Sequence, residues 1–531
     1  MKHLVRKAVA LCLAITLAFG MTACGEKKQE ETETIVNIGA TDSLGFVNPL
    51  LMDWTFSNYY TISQMFLPLV RMNPDFSADY CLAESITTED NINFTVKLRD
   101  DAKWSDGEPI TAQDVVFTFL KMSSPEVANY NFDFSVFQGM EEGLSPSGAT
   151  EIAGIEASGE KTVIFRTEWP IALNTFINNL LTWICIIPEH VLKDVASADL
   201  PTSEFFSKPT VVSGPYFMDS YDLEHFVSFH ANENYFGGAP KIDKLNLRIV
   251  QPSEILAGLK NGEIDIVLPA MGNITTEDRE AVEKLEGVRA VYAAPITNEM
   301  TYINTQKITD PRVRQAIVYA IDREALVRDL LKGHGEVTDG FLCSASPYFS
   351  EDKAVTPYDP AKAKELLAEA GWDGSQAIEY YISSNDDTVI KAAQIMKVQL
   401  EEAGITINIH TVDFATLMDV GGSEEVDMFS VQYTITPNDY YSDLQGLIDM
   451  EGSWTGSYYN EEVHNLLLET QVADESELKG IYARLDAIMT EEVPVFPLYF
   501  MSNLGVVSDR LVNAEPSFYG PLNNVQNWEV K

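Results

Sequence analysis

Cysteine is scarce in this chain, with five in 531 residues. Cys12 and Cys24 lie near the N-terminus, and Cys81, Cys185 and Cys343 are an odd remainder at no metal-like spacing. Neither a disulfide framework nor a zinc site is expected. Cys185 sits in W-I-C-I-I and reads as a small buried apolar residue rather than a nucleophile. Basic residues are also few: 36 Lys and Arg stand against 80 Asp and Glu, a net charge of −44. Phosphate binding needs a basic face, so nucleic acid is excluded as a partner. The acids are spread along the chain, which describes a solvated surface rather than an acid-specific site. Seven histidines occur, but no H-E-x-x-H and no G-x-S-x-G. The acidic S-S-N-D-D-T run around residue 385 lacks the EF-hand pattern and reads as a turn with a helix cap. No catalytic residue, metal site or cofactor is therefore expected. Long apolar runs are missing too. Residues 8–19 form the longest, too short to span a bilayer comfortably.

That short run belongs to an export signal. Lys2, Arg6 and Lys7 precede it, and M-T-A-C-G follows. The last motif resembles a bacterial lipobox, so residues 1–23 read as a signal peptide and Cys24 as a lipidated N-terminus. Residues 24–34 carry G-E-K-K-Q-E-E-T-E-T, polar and without apolar anchors, and read as a flexible tether. Loss of residues 1–23 removes three positive charges and no negative ones, moving the net charge from −44 to −47. The folded part is expected to be soluble, held by lipid at the outer face of the cell membrane.

The remaining chain is 45% hydrophobic over the full length, enough for two or three domains. Its organising stretch is residues 310–333, D-P-R-V-R-Q-A-I-V-Y-A-I-D-R-E-A-L-V-R-D-L-L-K-G. Asp310 can cap a helix and Pro311 suits its first position. Val313, Ala316, Ile317, Ala320 and Ile321 form one apolar stripe. Asp322 can cap a second helix, which Gly333 can end in a left-handed turn. Residues 82–119 are the other strong run. Phe94, Val96 and Leu98 alternate as a half-buried strand, Ser105-Asp106-Gly107 is turn chemistry, and Thr111 with Asp114 forms a capping box. Trp104 reads as core. Gly214-Pro215-Tyr216 opens a hairpin in which residues 217–221 face 225–229. Residues 245–268 read strand–helix–strand, a unit that implies parallel pairing with a right-handed crossover. Between residues 359 and 433 the order is again alternating helix and strand, with Gly371 and Gly404 ending helices. The expected class is therefore α/β, with two such domains.

The D-P-R-V-R-Q-A run, L-A-E-S, F-T-V-K-L-R-D-D-A-K-W-S-D-G-E-P-I-T-A-Q-D-V-V-F-T-F and N-Y-F-G-G-A-P-K-I-D-K-L together resemble the bacterial family 5 extracellular solute-binding proteins. The likeness covers essentially the whole mature chain. It implies a two-lobed periplasmic-binding-protein-like fold with the ligand cleft between lobes. The first lobe is expected over residues 35–268, with an extra subdomain at about 60–185 and completion by 490–531. The second is expected over 269–489. It also implies a monomer that binds a peptide, delivers it to an ABC permease and does no chemistry on it. The alternatives are a non-peptide solute such as an oligosaccharide, glycoside or metal chelate, or a lipoprotein sensor.

The resemblance places two stretches at the cleft. One is Asp53, Trp54, Thr55 and Phe56. The other is Tyr433, Thr434, Ile435, Thr436, Asn438 and Asp439, whose backbone is expected to pair with an extended peptide. Peptide-binding members carry an Asp for the ligand's ammonium where this chain has Thr436, so Asp439 or Asp53 is the candidate replacement. Those members also carry an Arg for the ligand's carboxylate, near Asn385 or at Ser430 here. No Arg occurs between Arg328 and Arg484. Lys332, His334, Lys391 and His410 are the substitutes considered, with nothing in the sequence to select among them.

Overall fold

The structure, a computed structural model, describes residues 33–531 apart from 353, 385, 422, 424 and 449–457. The expected signal segment, Cys24 and the tether up to residue 32 lie outside the described residues. Two mixed sheets carry the fold. The larger has seven strands in the order Val288–Tyr292, Leu504–Ser508, Ile266–Val267, Ile35–Ala40, Lys244–Ile249, Phe226–Ala231, Tyr216–Asp222. Ile35–Ala40 runs parallel to both of its neighbours. The crossover helix Ile255–Asn261 joins those two neighbours and ends at Gly262, whose φ of +69° is the left-handed cap glycine supplies cheaply. The hairpin expected after Gly214 is present as an antiparallel pair.

A four-stranded antiparallel sheet lies beside this one, in the order Ala83–Thr87, Asn93–Leu98, Thr162–Arg166, Ile155–Ala157. Phe94, Val96 and Leu98 are buried and their neighbours exposed, the alternation read from the sequence. Helix Ala112–Met122 opens with the Thr111–Asp114 capping box. Trp104 is buried in the core. The side chains of this sheet and of the seven-stranded sheet belong to one continuous apolar cluster, so the two are fused.

The second large sheet has six strands in the order Gly335–Glu336, Val495–Met501, Thr297–Ile303, Met428–Thr434, Ile378–Ser383, Ile407–Val412. Helix Asp387–Ala403 connects the parallel pair Ile378–Ser383 and Ile407–Val412 and stops at Gly404 with φ +99°. Sheet membership differs from the expected lobe limits at 268 and 490. Val288–Tyr292 stays in the seven-stranded sheet, and Val495–Met501 belongs to the six-stranded one. We therefore place the crossings at residues 293–296 and 502–503. The V-P-V-F-P-L-Y-F run at 493–500, inside the 490–531 stretch expected to complete the first lobe, instead supplies a buried strand of the second.

The helix pair at 310–333 locks that strand in place. Asp310 accepts from the Arg312 N–H, and Asp322 from the Ala325 N–H. The second helix passes into a π turn at Leu326–Leu330 before Gly333, φ +85°. Arg323 is buried. Its Nη1 donates to the carbonyls of Thr338 (3.0 Å) and Pro497 (3.2 Å), and its Nη2 to Asp339 Oδ1 (2.5 Å) and the Thr356 carbonyl (3.3 Å). Asp339 Oδ2 accepts in turn from the Thr356 N–H at 2.6 Å. Removing one member of a buried pair leaves the other charge uncompensated. Asp339→Ala is expected to lower unfolding stability by about 3–5 kcal/mol, measured by urea titration, and Arg323→Ala by a similar amount.

Candidate functional site

A cavity of about 460 Å3 lies between the two large sheets. One wall comes from the first lobe, with Asp42, Phe56, the 269–279 segment and Phe518. The other comes from the second lobe, with Thr297, Leu331, Asp386, Lys391, Gln432 and Thr434. Met501, Asn503 and Leu504, at one of the crossings, border both. The volume falls within the ordinary range for a small-molecule site.

The second-lobe wall has an open backbone edge. Met428–Thr434 pairs along its full length with Thr297–Ile303. On its other side it pairs with Ile378–Ser383 only through Met428 and Phe429. Ser430–Thr434 therefore carries no strand on that edge among the described residues, and Gln432 and Thr434 face the cavity.

The residues expected at the cleft divide into four groups. Phe56 and Thr434 line the main cavity. Phe56 also packs edge-on against Phe518 and Tyr519, with centroids at 5.1 and 5.5 Å. Thr436 and Phe56 border a much smaller void with Tyr519 and Asn523. Asn438 and Asp439 face a separate opening beside Thr175 and Gln471. Asn438 Nδ2 donates to the Phe76 carbonyl at 2.8 Å, and Asp439 accepts from Thr175 Oγ1 at 3.1 Å. The others point elsewhere. Trp54 is 47% exposed, and its indole N–H donates to the Asn131 carbonyl at 2.9 Å. Asp53 accepts from the Thr55 N–H and from Asn58 Nδ2, at 2.9 and 3.1 Å. Thr55 donates its hydroxyl to the same carboxylate. Ile435 is core, and the Tyr433 hydroxyl donates to Asp443 at 2.6 Å.

The four substitute cations all have partners. Lys391 pairs with Glu277 at 3.0 Å, joining second lobe to first at the cavity rim. His410 pairs with Glu379 at 2.5 Å. His334 stacks on Tyr292 at 3.7 Å, 3.5 Å from Glu283, and Lys332 donates to the Asp329 carbonyl at 2.8 Å. The residue that sequence reasoning missed is Arg279, which lines the cavity and is only 9% exposed. Its setting, T-T-E-D-R-E-A-V-E-K, reads as a solvated charged helix, and only tertiary packing buries it.

Burial dominates the electrostatics. Asp443 has its carboxyl pushed up to about 7, and Asp439 to about 6, by desolvation that their hydrogen bonds only partly offset. Burial also raises Asp42, and it lifts Glu299 well above the usual carboxylate range, with Asp386 adding repulsion. A carboxyl whose folded value is raised stabilises the fold at low pH and loses that contribution as pH climbs through the folded value. For Asp443 the window runs from the ordinary carboxyl value of 3.8 up to about 7. Asp443→Asn removes this dependence. Relative to the wild type, the variant is expected to gain stability between pH 5 and pH 8 by on the order of 1–3 kcal/mol, read from unfolding titrations at each pH.

Comparison with known proteins agrees with this architecture. Residues 79–453 match the profile of the bacterial extracellular solute-binding proteins, family 5, middle region. The chain is 24% identical over 562 aligned positions to the oligopeptide-binding protein AppA of Bacillus subtilis, covering 98% of this chain and 99% of that one. It is 29% identical over 450 positions to the glutathione-binding protein GsiB of Shigella boydii, covering 82% and 81%. Among solved structures, the substrate-binding protein CtaP of Listeria monocytogenes superposes with a TM-score of 0.80 at 23% identity, over 94% of this chain and 99% of that one. The fold is thus that of two-lobed periplasmic binding proteins. With the match spanning most of its length, this chain belongs to the bacterial extracellular solute-binding proteins of family 5, whose members bind solutes for ABC transporters and are not enzymes.

Proposed function

We propose that the protein captures a peptide of a few residues between its lobes and hands it to an ABC import permease. It acts as a monomer tethered by lipid on Cys24 to the outer face of the membrane. The observation that carries the peptide reading is the open edge of Ser430–Thr434 beside the interlobe cavity. An extended backbone can add to such an edge through main-chain hydrogen bonds, whatever its side chains. The relatives point the same way: AppA of Bacillus subtilis is named for oligopeptides and was solved with a nonapeptide, and DppA of Helicobacter pylori was solved with the peptide STSA. A cavity of about 460 Å3 is of ordinary small-molecule size, which favours the short end of the range.

Two measurements test this. The purified protein is mixed with an equimolar set of peptides of two to nine residues and examined by native mass spectrometry. One short peptide per chain, unchanged in mass, is expected, together with a rise in melting temperature. Retention of none, or release of shortened products, contradicts the reading. For the anchor, Cys24→Ala is expected to leave the membrane fraction or to accumulate unprocessed. Normal cleavage with full membrane retention counts against a lipid on that thiol.

A further inference from the structure

We propose that Arg279 is the carboxylate-binding residue of this cavity, so that the ligand is gripped through an anionic group by the first lobe. The inference rests on the peptide reading above and adds the chemistry that selects among peptides.

Three buried arginines set the comparison. Arg314 donates from Nε to the carbonyls of Glu492 and Val493 and from Nη1 to those of Ile308 and Thr309. Arg323 makes the four bonds described above. Both are therefore held by the protein itself, Arg323 leaving only its Nε without a partner among the described residues. Arg279 is not. Its Nε and Nη1 are buried and hydrogen-bond to nothing among the described residues. No carboxylate of the described residues lies within 4.0 Å of its guanidinium. The acids whose charge it feels are committed elsewhere. Glu277 pairs with Lys391, Glu283 accepts from the Tyr292 hydroxyl at 2.6 Å, and Asp386 accepts from the Thr388 N–H at 2.7 Å.

A buried cation without partners is costly, and folded chains rarely keep one without a use. Arginine does not escape the cost by losing its proton, because its intrinsic pKa is too high. The missing partner is an anion that arrives with the ligand. The guanidinium fork matches a carboxylate in two-point geometry, which a neutral amide cannot reproduce. Arg279 stands on helix Thr276–Glu283, across the cavity from the open edge of Ser430–Thr434. A peptide laid on that edge would present its carboxylate to the opposite lobe, and binding would draw the lobes together.

The test uses three peptide pools of two to five residues. The first has free C-termini and no Asp or Glu, the second is the same pool amidated, and the third is amidated with one Glu. Each is offered to the wild type, Arg279→Gln and Arg279→Lys. The wild type is expected to prefer the free acids to the amides by about 30-fold. Arg279→Gln should bind acids and amides alike, with Arg279→Lys between them. Strong retention of the Glu pool by the wild type alone assigns the carboxylate to a side chain rather than the C-terminus. Ligand-free Arg279→Gln should melt no lower than the wild type, whereas a purely structural arginine would lower it. Equal binding of all three pools by the wild type overturns the assignment to Arg279 while leaving peptide binding intact, and needs no variant to be folded. Failure of every pool to bind removes both proposals.

Discussion

One antiparallel ribbon passes through both large sheets, and the rest of the architecture is arranged around it. Val288–Tyr292 pairs with Leu504–Ser508 in the first sheet, and the same two chain segments continue as Thr297–Ile303 and Val495–Met501 in the second. The ribbon is pinned where it passes between sheets. The Ala293 N–H donates to the Asn503 carbonyl at 2.9 Å, and Asn503 Nδ2 reaches Thr297 Oγ1 and the Pro269 carbonyl, each at 3.4 Å. Two crossings placed side by side permit rotation about their common line and resist shear. This is the mechanical requirement for lobes that close on a guest. The same crossing borders the cavity, so the hinge and the ligand's floor are one piece of backbone.

Away from the ribbon, the lobes meet through a shared apolar cluster, in which Met72, Phe518 and Tyr519 of the first lobe join Met300, Tyr302 and Phe429 of the second, and through polar contacts. Thr175 donates to Asp439, Asn178 to Asn438 at 3.3 Å, and Asn91 to the Gln471 carbonyl at 3.0 Å. The Lys391–Glu277 pair is 49% and 69% exposed at its two ends, a geometry worth little in water. Contacts of this kind exchange readily with solvent, as in transient interdomain interfaces. Each lobe also has an apolar core of its own, beside the shared cluster.

The sequence announced elements wherever one residue type has a strong local job. Asp310 and Pro311, Thr111 with Asp114, and the glycines at 333, 371 and 404 all mark ends that the structure reproduces. Assignments that depend on long-range packing were less legible. Two prolines in V-P-V-F-P-L-Y-F argue against an interior strand. The strand forms because its pairing with Thr297–Ile303 shifts register between Glu299 and Met300, opposite Pro497, where the ladder needs no N–H from that residue. At the site, Trp54 looked like a cleft aromatic, but a carbonyl at Asn131 holds it aside. Arg279 carried no signal at all, since a charged residue in a charged helix reads as solvated until its tertiary neighbours are known.

That reversal bears on how an acidic protein binds an anion. A chain of net charge −44 repels a carboxylate at long range, but salt reduces such fields over about 8 Å at physiological ionic strength. Capture therefore depends on the last few ångströms, inside the cavity, where low polarisability strengthens each interaction. There the nearby acids are held back. Burial raises the carboxyl of Asp42, and Asp386 is engaged by the Thr388 N–H. Glu277 and Glu283 are engaged by Lys391 and Tyr292. The guanidinium of Arg279 is thus left uncompensated from within, and the protein's acidic exterior and its anion-seeking interior are compatible because water and salt separate the two.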